Sequence, residues 1–267
     1  MTDPTPFLDV DGCFNFRDLG GHLTADGRAV VRGQLYRADA LHRLTSAGRA
    51  AYEQLQIVTV IDLRTPDEVA RRRWTPPEQW VGRWLHRPPR STIPDWTSVP
   101  PDRAADPALA VEHYQETVLA GAGVLVDVVA DLAAPEALPA VFHCAVGKDR
   151  TGIVAAFVLR LLGVGVEDVG RDYALSEEAT ARWEASVASG APDDTQTSWS
   201  YVPPAMMTAD ALVMRALLDW VDREHGSVAE LLYRHGLPTG VPDVLRGRLL
   251  SGGSRSTRRR RGCRSDR

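Results

Sequence analysis

The chain has 267 residues, of which 44% are hydrophobic and 25% are charged, a composition typical of globular proteins that bury a large core. Its formal net charge is -4, but segment 251–267 holds seven arginines and one aspartate, so residues 1–250 carry about ten net negative charges. This acidic body excludes a uniformly basic nucleic-acid-binding protein.

The first part of the chain predicts short strands and helices in alternation. In chain order these are extended pieces and turns from Asn15 to Leu41, a helix capped by Thr45 or Ser46, a buried strand at Ile57–Leu63, a short helix from Pro66, a strand around Trp80–Leu85 and a proline-rich loop at Pro88–Pro107. The β-branched run of the Ile57–Leu63 segment and the helix-starting proline after it are the clearest of these signals.

The second part of the chain is mostly helical in pattern. It predicts two helices at about Leu109–Leu119 and Val124–Leu132, a short buried strand at Pro139–His143, a helix beginning near Arg150, and further helices to about Leu250 that are interrupted by a polar loop at Gly190–Pro204. Strands alternating with helices indicate an α/β fold with a mostly parallel central sheet flanked by helices. We expect a single domain over residues 1–250 and a disordered Arg-rich tail over residues 251–267.

Cysteine content and targeting signals indicate the compartment. The three cysteines, Cys13, Cys144 and Cys263, are too few and too scattered for a disulfide framework, and no Cys or His cluster has zinc-ligand spacing. The segment Met1–Val10 holds acids and prolines where a secretory signal needs a basic and then an apolar stretch, and no apolar run reaches the roughly 20 residues of a membrane span. We therefore expect a reduced, cytoplasmic setting, with no metal and no cofactor.

The segment His143–Gly152, with the sequence HCAVGKDRTG, has the residues of a phosphate-binding loop. It lies between a predicted strand and a predicted helix, so that backbone N–H groups and the helix N-terminus converge on one point. Lys148 is the single lysine among 31 basic residues, which suggests that a compact ammonium is required there. The residues expected to bind phosphate are Ala145, Val146, Gly147, Lys148, Thr151 and Gly152.

Within this loop, Cys144 is the predicted nucleophile. Thiols at helix N-termini and beside cations ionise more readily than free cysteine, and the thiolate is the attacking form. The planar fork of Arg150 suits two oxygens of a transferring phosphoryl group. Gly147 permits a tight turn beside the ligand and Gly152 a close approach of the helix, while Thr151 is expected to donate its hydroxyl to the departing sulfur.

A general acid must protonate the leaving oxygen, and three aspartates are candidates. Asp149 lies in the loop itself. Asp62 ends the predicted Ile57–Leu63 strand, whose C-terminus faces the same crevice, and Asp95 lies on a loop able to close over a substrate. We rank them in that order, and expect His143 to orient the loop through hydrogen bonds instead of acting as a base.

At these residues the chain resembles the bacterial PtpB-type atypical tyrosine and lipid phosphatases, within the protein-tyrosine-phosphatase superfamily. Four further motifs look like markers of that family, and they extend the resemblance over about residues 15–250: Asn15–Gly21, Leu35–Asp39, Val60–Arg64 and Asp172–Ser176. The resemblance implies a phosphatase fold, a metal-free mechanism with a phosphocysteine intermediate, and phosphotyrosine proteins or phosphoinositides as substrates, with phosphoserine and phosphothreonine added in some members.

The resemblance also bears on individual residues. The family that the chain resembles lacks the usual Trp-Pro-Asp acid loop, which supports placing Asp149 and Asp62 near the chemistry. The outlying motifs contain Arg17, Asp18, Arg37 and Arg64. Salt bridges that brace the sheet explain those four residues at least as well as substrate contact does.

Several alternatives remain open from the sequence. One alternative is a catalytically inactive, phosphate-binding pseudophosphatase. Another is an arsenate reductase or a sulfurtransferase with a similar loop, of which the arsenate reductase would need Cys13 or Cys263 as a redox partner. The run Arg258–Arg261 would give weak contact with an anionic membrane surface, or is a solvated terminus without function.

Overall fold

The computed structural model describes residues 6–190 and 201–252. Within these ranges five strands form one sheet: β1 (Arg17–Asp18), β2 (Leu35–Ala38), β3 (Thr59–Asp62), β4 (Arg83–His86) and β5 (Ala140–His143). Their order across the sheet is β1-β2-β5-β3-β4, with β1 antiparallel to β2 and the other neighbours parallel. The predicted α/β fold with a mostly parallel central sheet is confirmed.

Helices make up most of the remaining described chain. They are α1 (Ser46–Gln54), α2 (Pro66–Arg71), α3 (Pro107–Ala133), α4 (Asp149–Leu162), α5 (Val166–Ala188), α6 (Pro204–Met207), α7 (Ala211–His225), α8 (Val228–Arg234) and α9 (Val241–Leu249). Single 3₁₀ turns occur at Leu41–Arg43 and Trp96–Ser98. The helices pack on both faces of the sheet, as the pattern of strands and helices predicts.

The buried strands divide the core into two hydrophobic layers because successive side chains of a strand point to opposite faces. Ile61 of β3 and Phe142 of β5 belong to the larger cluster, which they share with helices α3 to α5 and α7 to α9. Val60 and Val141 belong to the other cluster, which includes Tyr52 of α1. The central strands are therefore buried on both faces, as parallel strands in α/β folds are.

The parallel strands end together at one edge of the sheet. Ala38 and Asp62 both pair in register with His143, and Asp62 pairs with His86. Because β5 lies between β2 and β3, the residues that follow it emerge between the ends of its two neighbours. The fold thus places the loop after His143 at the centre of the carboxyl edge, where ligands bind in open α/β sheets.

Local capping signals explain where the first two helices begin. The Thr45 side chain accepts a hydrogen bond from the Gly48 N–H group and caps α1. Thr65 and Glu68 form a reciprocal capping box at the start of α2, with Pro66 in the first turn. Both helix starts agree with the prediction.

Two predicted boundaries are wrong. The two helices expected at 109–119 and 124–132 are one continuous helix, α3. Gly121 lies inside it against Pro89, where a Cβ atom would approach the Pro89 carbonyl oxygen to 2.6 Å. Strand β4 begins at Arg83, not near Trp80, whose indole N–H instead donates to the Ile57 carbonyl oxygen at 2.6 Å.

Other expectations concern the chain as a whole. No helix in the described ranges has both the length and the apolar character needed to cross a lipid bilayer. The predicted disordered tail lies, from residue 253 onward, outside the described residues. The single domain over residues 1–250 stays a prediction.

Candidate active site

The loop between β5 and α4 is held from outside through its carbonyl groups. Four consecutive carbonyl oxygens each accept a hydrogen bond from a side chain. Cys144 O accepts from the preceding residue, His143 Nδ1 (3.2 Å), and the other three accept from distant parts of the chain: Ala145 O from Arg43 Nη2 (3.2 Å), Val146 O from Asn15 Nδ2 (3.0 Å) and Gly147 O from Arg37 Nη2 (2.7 Å). In a planar trans peptide unit the C=O and N–H groups point in opposite directions. The N–H groups of residues 145–148 therefore face the inside of the loop and form an anion-binding nest.

Gly147 allows this loop to close against strand β2. Its φ is 73°, in the left-handed region, and a Cβ atom there would lie 2.6 Å from the Ala38 carbonyl oxygen. The next two residues lead into α4, which begins at Asp149 and adds the partial positive charge of a helix N-terminus.

Cys144 directly follows β5, and its side chain is a free thiol that is only 2% exposed. His143 is fully buried behind it, and its Nδ1 atom bonds the Cys144 carbonyl as described above, so the expected orienting contact is present. The Thr151 hydroxyl, one turn into α4, is buried and has no hydrogen-bond partner within the described residues. An unpaired buried hydroxyl is a group that a ligand or intermediate in the loop is able to satisfy.

Arg150 is held by a carboxylate on helix α2. Its Nη1 and Nη2 atoms donate to the two oxygens of Glu68 at 2.5 and 2.9 Å, and Nη1 also donates to the Leu63 carbonyl at 3.3 Å. These contacts use three of the five guanidinium N–H groups. The remaining two, on Nε and Nη2, share one edge of the guanidinium, which is the edge available to two oxygens of a phosphoryl group.

Glu68 and Arg150 stay ionised as a pair. Burial raises the pKa of Glu68, but the hydrogen bonds and charge of Arg150 outweigh it and leave that pKa below its usual value. Burial lowers the pKa of Arg150, and the hydrogen bonds and charge of Glu68 more than reverse this.

Lys148 and Asp149 form an ion pair at the rim of the loop. The Lys148 ammonium donates to Asp149 Oδ1 at 2.7 Å, and the Tyr114 hydroxyl of α3 donates to the same oxygen at 2.5 Å. Burial raises the pKa of Asp149, but the charge and hydrogen bond of Lys148 together with the Tyr114 hydroxyl hold it below its usual value. Asp149 is therefore a carboxylate in the unliganded site.

Asp62 does not reach the crevice, contrary to the expectation from its place at the end of a strand. Its carboxylate is 0% exposed and makes a bidentate ion pair with Arg64, at 2.9 Å from Nε and 2.6 Å from Nη2. Burial raises the pKa of Asp62, but His143 and Arg64 lower it to about 2. A carboxylate that is buried and this acidic does not serve as a proton donor near neutral pH, so the structure disfavours the acid role suggested for Asp62.

Asp95 is also committed elsewhere. Its carboxylate caps the 3₁₀ turn at Trp96–Ser98 and accepts hydrogen bonds from the Thr97 hydroxyl at 2.6 Å and the Thr97 N–H group at 3.0 Å. The hydroxyl and then the N–H group lower the pKa of Asp95 below its usual value. The neighbouring residues of this turn, not Asp95, border the cavity described next.

A cavity of about 430 Å³ borders the loop. Its polar side is formed by Asp39, Arg43, Lys148, Asp149 and Arg150, and Val146 of the loop also borders it. Its other walls are largely apolar and include Trp96, Trp183 and Met206 from the β4–α3 loop and from helices α5 and α6. The cavity therefore combines a cationic, anion-binding end with a wall suited to an apolar or aromatic group.

His113, next to Tyr114 on α3, is a further titratable group of the cavity wall. Its ring packs edge-on against Trp96 with a centroid distance of 4.9 Å. Burial lowers the pKa of His113, and the cations Arg90, Lys148 and Arg150 add to this against the charge of Asp149, to give about 4. His113 is therefore neutral at physiological pH.

A model of the tyrosine phosphatase family matches residues 8–251 of the sequence. The chain belongs to the tyrosine phosphatase family. This confirms the assignment to the superfamily that the loop and the outlying motifs suggested.

Two curated relatives of this phosphatase cover most of its length. It is 27% identical over 277 residues to the triple specificity protein phosphatase PtpB of Mycobacterium tuberculosis, an alignment that spans 91% of this chain and 98% of PtpB. It is 29% identical over 257 residues to a putative tyrosine-protein phosphatase of Cupriavidus necator, spanning 92% of this chain and 89% of that protein. Among solved structures, the Siw14 catalytic core matches with a TM-score of 0.40 at 13% identity, covering 86% of this chain and 97% of that one.

The outlying motifs of this phosphatase brace the loop from behind. The Asp172 carboxylate forms salt bridges with Arg17 Nε at 3.0 Å and with Arg37 Nη1 at 2.6 Å, and all three residues are buried. Asp18 instead accepts hydrogen bonds from backbone N–H groups, those of Gly20 at 2.7 Å and Gly33 at 2.8 Å. Arg17, Asp18 and Arg37 thus form salt bridges and turn contacts, as does Arg64 with Asp62. These contacts account for the four motif residues for which the sequence allowed either a structural role or substrate contact.

Gly152 and Cys13 lie in environments set by their packing in the fold. A Cβ atom at Gly152 would lie 2.9 Å from the Tyr173 ring, so this glycine lets α4 pack close to α5, and its part in phosphate binding stays a prediction. Burial, and after it the charge of Asp39, raises the pKa of the Cys13 thiol well above its usual value. A thiol that resists ionisation is a poor redox partner, and Cys263 lies outside the described residues.

The sequence alone does not predict a role at this site for Tyr114, His113, Glu68 and Arg43, and it marks Asn15 only as the first residue of the Asn15–Gly21 motif. The spacing of Thr65 and Glu68 is a capping-box signature that would have placed Glu68 in the first turn of α2, though not beside Arg150. No local signal marks Tyr114, which lies 35 residues before Asp149.

Proposed function

We propose that this chain is a cysteine-dependent phosphomonoester hydrolase that forms a phosphocysteine intermediate on Cys144. The main support is the arrangement of the loop, in which outward carbonyl bonds leave the N–H groups of residues 145–148 facing the anion site beside that thiol. The unpaired Thr151 hydroxyl and the available edge of Arg150 add to it. In this proposal no metal or cofactor takes part.

In the first step the Cys144 thiolate attacks phosphorus and the bond from phosphorus to the leaving oxygen breaks. Arg150 and the loop N–H groups hold the three remaining phosphoryl oxygens, where charge accumulates in the transition state. The negative charge of the bound phosphate disfavours the neighbouring carboxylate, so Asp149 takes up a proton when substrate binds and passes it to the leaving oxygen.

In the second step water attacks the phosphocysteine and the sulfur leaves as a thiolate. Asp149, now a carboxylate, accepts the proton of the attacking water, which reverses its role in the first step. The Thr151 hydroxyl donates a hydrogen bond to the departing sulfur. The products are inorganic phosphate and the free enzyme, so protons and electrons balance without a co-reactant.

Replacement of the nucleophile tests this proposal. Cys144→Ser is expected to lower turnover of p-nitrophenyl phosphate to the background rate, because a serine hydroxyl at this position lacks a general base, while vanadate or phosphate still binds to the intact cradle. Cys13→Ser is the matched control, since Cys13 is the other described cysteine, is buried, and takes no part in the loop. Wild-type protein that binds phosphate without hydrolysing any phosphomonoester would instead be a pseudophosphatase.

The substrate that we propose carries its phosphate on an aromatic or other apolar group, with phosphotyrosine as the first candidate and phosphoinositides as the second. The apolar wall with Trp96 and Trp183 supports an aromatic leaving group, and the lysine of the loop supports a highly anionic ligand. A phosphotyrosine peptide compared with soluble phosphoinositides, with Cys144→Ser as the blank, separates the two.

A cytoplasmic location and a weak membrane contact of Arg258–Arg261 remain part of the proposal, and liposome sedimentation with and without residues 251–267 tests the contact.

A further inference from the structure

The two oxygens of the Asp149 carboxylate have different surroundings. Oδ1 accepts hydrogen bonds from the Tyr114 hydroxyl at 2.5 Å and from the Lys148 ammonium at 2.7 Å. No hydrogen bond from any residue in 6–190 or 201–252 reaches Oδ2, although the side chain borders the cavity and is 27% exposed. One oxygen is thus anchored, and the other is available to exchange a proton with a ligand.

Tyr114 is itself fixed by a second tyrosine. It is 0% exposed within α3, and its hydroxyl lies 2.6 Å from the hydroxyl of Tyr173 on α5. The two rings pack edge to face at a centroid distance of 6.2 Å. A tyrosine hydroxyl has one proton, and an ionised carboxylate only accepts, so Tyr114 donates to Asp149 and Tyr173 donates to Tyr114.

We infer that Tyr114 is a positioning residue for Asp149: its hydroxyl, supported by that of Tyr173, anchors Oδ1 so that Oδ2 faces the leaving oxygen of the substrate. This inference rests on the proposed function, in which Asp149 transfers the proton. The anchor also stabilises the ionised form of Asp149, since a hydrogen bond to the charged form of an acid favours that form. Asp149 of α4, Tyr114 of α3 and Tyr173 of α5 are linked by these hydrogen bonds. The packing of the three helices therefore determines where the Asp149 carboxylate lies.

The consequence is specific to reactions that need an acid. Phenyl phosphate expels a basic phenolate and depends on proton transfer, whereas p-nitrophenyl phosphate expels a stable anion and depends on it much less. Loss of the Tyr114 hydroxyl leaves only the Lys148 ammonium on Oδ1, so the carboxylate is held by one contact instead of two. Binding of the phosphoryl group to the loop and to Arg150 is not affected.

The test is Tyr114→Phe, which keeps the ring and removes only the hydroxyl. We expect kcat on phenyl phosphate to fall about tenfold, a fraction of the 10²–10⁴-fold that a general acid contributes, with a KM close to that of the wild type. The loss on p-nitrophenyl phosphate is expected to be about twofold or less, because its leaving group needs little protonation. The limb of the pH–rate profile that reports Asp149 should move to higher pH, since the ionised form of its carboxylate has lost a hydrogen-bond donor.

Two further variants decide between positioning and mere packing. Tyr173→Phe leaves Tyr114 in place but removes the hydroxyl that donates to Tyr114. It should lower kcat on phenyl phosphate and shift the pH–rate profile in the same direction as Tyr114→Phe, but by less. Tyr114→Phe added to Asp149→Asn should change nothing further, because residues that act through one group are not additive. The inference would be overturned if Tyr114→Phe lowered kcat equally on both substrates without shifting the pH–rate profile. It would also be overturned if Tyr114→Phe lowered activity further in the Asp149→Asn background.

Failure of the underlying function gives a different result. Wild-type protein that hydrolyses neither substrate, or Cys144→Ser protein that retains turnover, overturns the phosphatase mechanism whatever Tyr114 does. Normal wild-type turnover with an unchanged Tyr114→Phe variant overturns only the positioning role. If Tyr114→Phe does not fold, as circular dichroism would reveal, Tyr173→Phe carries the same comparison of the two substrates.

Discussion

Glu68 decides which edge of the Arg150 guanidinium is offered to a substrate. Its two oxygens occupy the terminal edge of the fork at 2.5 and 2.9 Å, and only the edge with Nε is left for a ligand. The capping box with Thr65 fixes Glu68 in turn. Arg150 therefore meets the phosphoryl group already oriented, which reduces the entropy lost on binding.

We predict that Glu68→Gln lowers kcat/KM on p-nitrophenyl phosphate about tenfold, because the amide places an N–H group against an arginine donor and removes one charge-assisted hydrogen bond. Both kcat and KM should change, since Arg150 holds the phosphoryl group in the ground state and in the transition state. Asp67→Asn is the control, as it removes an exposed charge in the same helical turn without a contact to Arg150. Equal activity of Glu68→Gln and wild type contradicts the prediction.

At the level of single residues, the sequence predicted what is contiguous and missed what the fold brings together. Cys144, Lys148 and Arg150 stand within one loop, where their spacing alone indicates anion chemistry. Glu68 and Tyr114 reach the same loop from 82 and 35 residues away in the chain, and a single sequence carries no record of such contacts. Asp62 was misjudged for the same reason, because nothing local reveals that Arg64 and His143 enclose it.

The loop after β5 is an element whose conformation is imposed by its neighbours. Strand β2 lies against Gly147. The Asn15 and Arg43 side chains donate hydrogen bonds to two carbonyl groups of the loop. The cradle thus exists before a ligand arrives, and an anion binds without having to organise the N–H groups.

Gly147→Ala tests this element directly. The new methyl group meets the Ala38 carbonyl at 2.6 Å and the backbone has a φ of 73°, so we expect loss of phosphate binding, at least a tenfold loss of kcat/KM and a lower melting temperature. Gly27→Ala is the matched control, with a φ of 80° and no atom within 4 Å of the added methyl. It should show only the backbone strain of about 1 kcal/mol and normal activity; loss of activity in both variants, or in neither, contradicts the role given to the loop.

Most elements were predictable because their signals are local. The cap at Thr45, the β-branched run of β3 and the strand–loop–helix order around Cys144 all agree with the structure. Helix α3 is continuous although a glycine lowers helix propensity, and in the fold Gly121 admits the Pro89 backbone. Tertiary packing, which the sequence does not display, overrode the local preference.

At the scale of the whole molecule, buried ions link distant segments to the loop. Asp172 of α5 binds both Arg17 and Arg37, and Arg37 binds the Gly147 carbonyl. The first strand, the second strand, α5 and the loop thus depend on one carboxylate. Burial raises the pKa of Asp172, but the charges of the two arginines reverse this and hold it far below its usual value.

This arrangement predicts that the protein loses stability in acid in two stages. Asp62, with a pKa of about 2, and the low-pKa groups Glu68, Asp149 and Asp172 are ionised in the folded protein, whereas the unfolded chain binds protons near pH 4, so their stabilisation is lost as pH falls from about 5 towards 2. His113 is neutral in the fold with a pKa of about 4, and the unfolded imidazole gains a proton near pH 6.5, so stability declines earlier, from about pH 6.5 downwards.

Thermal melting followed by circular dichroism between pH 8 and pH 3 measures both stages. We expect the highest melting temperature near neutral pH, a shallow fall below about pH 6.5 and a steeper fall below about pH 5. His113→Asn should reduce the shallow fall without removing it, because burial also lowers the pKa of His143, which remains. The steeper fall should be the same in both proteins, since it comes from the carboxylates. A shallow fall of equal size in wild type and variant would contradict the buried, neutral state of His113. A melting temperature that rises in acid would contradict the stabilising role of the four carboxylates whose pKa is lowered.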